Sequence, residues 1–189
     1  TASVITDNNS VVDPGVGNFV DGVSFIADRI NLARGSSLTV GIPNTGNTGS
    51  ITMDASSTGS GAFSGIDLFV AKLAATGDGS VSLTGQGGDT GKSNSGVVLR
   101  TRSSIPTVRG GISLSGSTQS GAAGSGVVLV NSTLSQTSAG ATGVIAITGT
   151  ANGAGFGNVG VSLDYKSAVT ATGTGVGAGA ITIDPVASR

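Results

Sequence analysis

The stretch Gly111-Ile-Ser-Leu-Ser-Gly116, followed after a turn by Gly126-Val-Val-Leu129 and Ser132-Thr-Leu134, decides how this chain folds. Apolar and polar residues alternate within each piece, the period-two pattern of a strand with one buried face. The first piece recurs as Ile51-Thr-Met53, Val81-Ser-Leu83, Ile145-Ala-Ile147 and Ile181-Thr-Ile183. The second recurs as Gly65-Ile-Asp-Leu68, Gly96-Val-Val-Leu99 and Gly160-Val-Ser-Leu163, and the third is marked by Leu73, Ile105, Leu134 and Val169. Gly22-Val-Ser-Phe25 with Ile30 reads as a further second and third mark, and Val4-Ile5 as a first mark.

Three short strands in a unit of roughly thirty residues cannot bury their apolar faces alone, but stacked units can. Ile51, Val81, Ile112, Ile145 and Ile181 then form one inward column, and Leu68, Leu99, Leu129 and Leu163 a second. The expected fold is all-β: a parallel β-helix, right-handed, of about five coils with three strands each, forming a rod roughly 25 Å long at ~4.8 Å per strand. An antiparallel sandwich does not require equivalent residues at this recurring spacing. A single domain spans residues 1–189, with coils near 1–50, 51–80, 81–111, 112–144 and 145–180 and the start of another at 181–189. Leu38-Thr-Val40 adds an apolar pair to the first coil and reads as a hairpin or a wider coil.

Composition agrees. Of 189 residues, 34 are Gly, and 27 Ser and 22 Thr bring the three types to 83 positions. All ten acidic residues are Asp, and Cys, His and Trp are absent. That removes the usual zinc sites, disulfides and Cys or Ser–His nucleophiles, and no cofactor is expected. A net charge of −1 with 10% charged residues leaves no electrostatic footprint for nucleic acid. No apolar run approaches the ~20 residues of a membrane span. Low charge and a hydroxyl-rich surface suggest an extracellular protein.

The unit Gly-x-Ile-Ser/Thr-Leu-Ser/Thr-Gly, turn, Gly-Val-x-Leu, Ser-x-Leu resembles the repeats of very large bacterial secreted surface proteins, the filamentous-haemagglutinin and autotransporter-passenger kind. The resemblance covers residues 20–184 and rests on repeat texture. The Asn-Pro-Asn-Gly secretion signature is missing, so the resemblance implies an interior or C-terminal segment of a longer rod. It implies an extracellular structural or adhesive scaffold on the cell surface and carries over no individual functional residue.

Enzymatic readings find little material. A polysaccharide-active β-helix needs converging carboxylates, whereas Asp67 and Asp164 fall on different outward columns three coils apart, with Arg100 and Arg102 beside them. Non-catalytic use is expected. Gly87-Gly-Asp89-Thr-Gly91 and Asp78-Gly79 lack the tandem recurrence of a calcium repeat and read as turns. Gly153–Gly157 and Gly173–Gly177 precede no helix that could hold a phosphate. Asn8 and Asn131 are formal glycosylation acceptors. An ice-binding face is the other alternative, but the outward column Thr52, Ser82, Ser113, Ala146, Thr182 mixes residue types, as does Asp54, Thr84, Ser115, Thr148, Asp184. Thr118 and Gln119 are read as turn residues without a packing duty.

One face is unlike a solvated strand. The outward positions assigned to the second mark include Ile26, Phe69, Val98, Arg100, Val128 and Val130, a largely apolar strip and a possible interaction face. The competing reading is that a long turn such as 56–64 or 150–159 folds over it. An open β-helix end exposes unpaired backbone groups, so self-association end to end, or continuation of a longer rod, is expected.

Overall fold

The computed structural model describes residues 3–6, 11–12, 22–41, 49–119, 124–153, 158–173 and 179–187, with side chains from Gly22 onward. Among these residues there is no helix. The first two levels hold β1 (Ser3–Thr6), β2 (Val11–Val12), β3 (Gly22–Ile26), β4 (Arg29–Leu32), β5 (Ser37–Val40) and β6 (Ser50–Ala55). The middle two hold β7 (Ile66–Phe69), β8 (Lys72–Ala75), β9 (Val81–Gln86), β10 (Val97–Arg100), β11 (Ser104–Thr107) and β12 (Ile112–Ser117). The last two hold β13 (Val127–Val130), β14 (Thr133–Gln136), β15 (Ile145–Ala151), β16 (Val161–Asp164), β17 (Ala168–Ala171) and β18 (Ile181–Ala187). Every third strand joins the same sheet, giving three six-stranded parallel sheets and a β-solenoid of about five turns.

The registers put the repeat marks in line. Ile51, Val81, Ile112 and Ile145 pair in sequence along the first-mark sheet. Leu68, Leu99, Leu129 and Leu163 pair along the second. Leu38, Leu73, Leu134 and Val169 lie on the third, with Ile105 in the same line. Ile51 and Ile145, Leu68, Leu99 and Leu129, and Leu73, Ile105 and Leu134 are 0% exposed, so the interior is filled by side chains from all three faces.

The amino-terminal levels correct the sequence assignment. Gly22–Ile26 pairs with Ser50–Asp54 and belongs to the first-mark sheet, while Ile30 pairs with Ile66 on the second. Val4-Ile5 pairs with Ile30-Asn31 on the second-mark sheet. Leu38-Thr-Val40 is an ordinary third strand, not a hairpin or a widened coil. The cause is one corner. From β6 onward the first- and second-mark strands are separated by loops of about ten residues, but only Ala27-Asp28 separates β3 from β4. Gly22-Val-Ser-Phe25 has the texture of the second mark but not its position in the coil.

Where those longer loops exist, glycine closes them at the base. A methyl group added to Gly116 would strike the carbonyl oxygen of Gly126, and one on Gly126 would strike the backbone of Gly149 and Thr150. Gly85 with Gly96, and Gly149 with Gly160, repeat the contact. Each loop therefore leaves the solenoid and returns to the point of departure. Thr118, expected to be idle, is buried, and its Oγ1 accepts the Asn152 N–H at 2.8 Å. Gln119 donates Nε2 to the carbonyls of Gly59 and Gly87 and so ties three loops together.

The opposite corner, between second- and third-mark strands, is turned in the left-handed region. Val70, Thr101, Arg102, Asn131, Tyr165 and Lys166 all have positive φ. Buried serines serve this corner: Ser103 Oγ lies 2.8 Å from the carbonyl oxygens of Leu68 and Arg100 and accepts the Ala71 N–H. Val70 is β-branched at φ 53°, where L-residues are strained.

Two outcomes follow for chemical denaturation. Leu129→Ala should lose ~2–5 kcal/mol through a cavity in the column, whereas Thr133→Ala, on the outer face, should stay within ~0.5 kcal/mol. Val70→Asn should raise stability by about 1 kcal/mol by relieving the left-handed corner.

Candidate functional site

The second-mark sheet carries two outward columns. One runs Asn31, Asp67, Val98, Val128, Ser162, and the other Phe69, Arg100, Val130, Asp164. Five of the six residues assigned to the interaction strip therefore share one face. Ile26 does not: it lies on the first-mark sheet opposite Asp54, because the short Ala27-Asp28 corner shifts Gly22–Ile26 by one strand. It is nonetheless 77% exposed there.

The face is less apolar than its sequence, because Arg100 is folded onto it. Arg100 Nε donates to Asp67 Oδ1 at 2.9 Å and Nη2 to Oδ2 at 2.7 Å, a fork-to-fork pair between adjacent levels. The same guanidinium lies 4.9 Å from the centroid of the Phe69 ring, covering it as a cation over a π face. The Asp67 carboxylate raises the Arg100 pKa further above its ordinary value, so this group stays charged throughout the working range. Asp67 is thereby committed. Asp164 takes the Ser162 hydroxyl at 2.9 Å, on the other column and three levels away.

The loops form a wall beside this sheet. Gly88 N–H donates to the Phe63 carbonyl, Phe63 N–H to Asn94 Oδ1 at 2.8 Å, and Gly124 N–H to Asn158 Oδ1 at 2.8 Å, so successive loops stack as the strands do. Asp89 Oδ1 accepts the Gly61 N–H at 2.7 Å, and that bond holds its carboxyl below the usual range. A depressed carboxyl stabilises the contact at neutral pH, and the gain is lost as pH falls through the lowered value. The Asp89 turn is thus a loop-to-loop tie, and Asp78 is an ion-pair partner of Arg109. Among the described residues no three His, Cys, Asp or Glu side chains gather where a metal ion would bind.

Between wall and sheet lies an open trench of about 760 Å³, with Val98, Arg100 and Val128 on the floor and Lys92, Ser125 and Val159 on the side. Among the described residues the loops border the strip, and Val98, Val128 and Val130 are half-buried. The outward columns of the first-mark sheet stand in the expected register, Thr52, Ser82, Ser113, Ala146, Thr182, and extend to Ser24. Asn131 sits on the left-handed corner, while Asn8 and much of both Gly-rich loops, 154–157 and 174–178, lie outside the described residues. No described helix is long and apolar enough to cross a membrane.

No protein-family model matches the chain, and no curated protein or solved structure shows significant similarity to it.

A double-mutant cycle measures the Arg100–Asp67 tie. Arg100→Lys and Asp67→Asn should each cost within ~1 kcal/mol in urea unfolding, as partly exposed pairs do. The double variant should lose less than the sum, because both changes remove one interaction.

Proposed function

We propose that this chain is a non-catalytic structural or adhesive segment of an extracellular solenoid, of the kind found in large bacterial secreted surface proteins. One observation carries the reading: the inward columns stay in register through the described levels, Ile51 to Ile181 on one sheet and Leu68 to Leu163 on the next, the stacking of like rungs from which a rod is built.

The non-catalytic part is supported by the carboxylates. Asp67 is engaged by Arg100, and Asp164 belongs to another column. Neither pair separation of a glycosidase is available to them.

Sedimentation of the 189-residue chain tests the rod reading. Concentration-dependent association, with fast amide exchange at the level containing β16–β18 and slow exchange at β10–β12, is the expected result. A monodisperse monomer at high concentration, equally protected in end and middle levels, would overturn it. Turnover of a uronate or neutral polysaccharide, abolished by Asp67→Asn or Asp164→Asn, would overturn the non-catalytic reading.

A further inference from the structure

The corner between second- and third-mark strands alternates in width. At the third and fifth levels it is two residues, Val70-Ala71 and Asn131-Ser132. At the fourth and sixth it is three, Thr101-Arg102-Ser103 and Tyr165-Lys166-Ser167. At the second level it is four, Ala33-Arg34-Gly35-Ser36. Each wide corner ends in serine, and each carries a cation.

The chain has only nine Lys and Arg, and five lie on or beside this one edge: Arg34, Lys72, Arg100, Arg102 and Lys166. Arg100 is held by Asp67, but the other four are exposed. None of those four forms an ion pair with a described residue, where the pairs are Arg100–Asp67 and Arg109–Asp78. The acidic neighbours are Asp67, neutralised by Arg100, and Asp164, which takes the Ser162 hydroxyl. Of the six described cations outside the two ion pairs, four thus share this one edge, while Arg29 lies over the Phe63 ring and Lys92 stands on the loop wall.

Spacing selects the partner. The wide corners at the second, fourth and sixth levels are two strand separations apart, about 10 Å, with Lys72 between the first two. A flat-ribbon polysaccharide of uronic acids turns successive sugars to opposite sides, so carboxylates on one side recur once per disaccharide, a repeat of similar length. Two of the three corner cations are arginines, whose planar fork matches a carboxylate. Duplex DNA carries a charge per ~1.7 Å of axis, far denser than this line, and single strands need stacking aromatics, of which Tyr165 alone is exposed among the described residues.

We propose that this edge binds an extended acidic polysaccharide lying along the solenoid axis, its carboxylates meeting Arg34, Arg102 and Lys166 on alternate levels. Arg34, Arg102 and Lys166 do not line the trench, and their binding of a ligand does not depend on the rod reading.

The test is calorimetric titration of the 189-residue chain at low salt with oligomannuronates of increasing length. Affinity should rise with length until the ligand spans the second to sixth levels, roughly 19 Å at ~4.8 Å per level, and then level off. Arg34→Gln, Arg102→Gln and Lys166→Gln should each weaken binding about two- to fivefold, and the triple variant at least about tenfold. Lys92→Gln, on the loop wall, should leave affinity unchanged. Thermal unfolding of each single variant confirms that the fold survives, and the three sites on separate levels are judged separately. A triple variant binding within about twofold of the parent, or a neutral oligoglucan binding as well as the uronate, would overturn the proposal. Tighter binding of an oligothymidylate of matched charge would equally overturn it.

Discussion

Where Gly116 meets Gly126, two backbone segments pass so closely that no side chain fits on either. The same contact at Gly85–Gly96 and Gly149–Gly160 fixes how the first-mark strand hands over to the second at three successive levels. Everything outside the core follows from it. The ten or so residues between the two glycines have nowhere to go but outward, and since their ends coincide, each set must form a closed loop. Stacked one on another, the loops donate Gly65, Gly96 and Gly126 N–H groups to the carbonyls of Ser95, Ser125 and Val159. They become the wall that turns a flat sheet face into a trench.

The interior was readable because it depends on periodicity. Every apolar position in Ile112-Ser-Leu114 or Gly126-Val-Val-Leu129 has partners above and below at fixed spacing, and stacking is the arrangement that buries all of them. The amino-terminal levels were misread for a local reason. Gly22-Val-Ser-Phe25 lacks the long loop that follows other first-mark strands, and texture alone does not say which face a Gly-Val-x-apolar strand occupies. Ile26 was drawn into the interaction strip by that shift. Thr118 and Gln119 were read as surface turn because a loop that hydrogen-bonds to loops above and below looks, in one dimension, like any polar linker.

The candidate face shows a different limit. Alternation correctly brought Phe69, Val98, Arg100, Val128 and Val130 to one side of one sheet. It could not show that Arg100 reaches across a level to Asp67 and lies over Phe69, because that pairing joins residues 33 positions apart. Side-chain reach between levels is set by register, and register is known only when the strand ends are. The alternating corner widths were hidden for the same reason: Thr101-Arg102-Ser103 and Val70-Ala71 differ by one residue, visible only once both flanking strands are placed.

The glycine-closed loops also bear on how such a chain tolerates change. Because each loop begins and ends at one backbone contact, its length adds only closure entropy, about 0.6 kcal/mol per doubling. Its bonds to neighbouring loops set the rest of the cost: Thr118 and Asn94 are buried, and Gln119 ties three loops together. Replacement is therefore cheapest at exposed wall positions such as Lys92. Lys92 lines the trench, so the wall can vary at such positions while the floor, built on strands, stays constant.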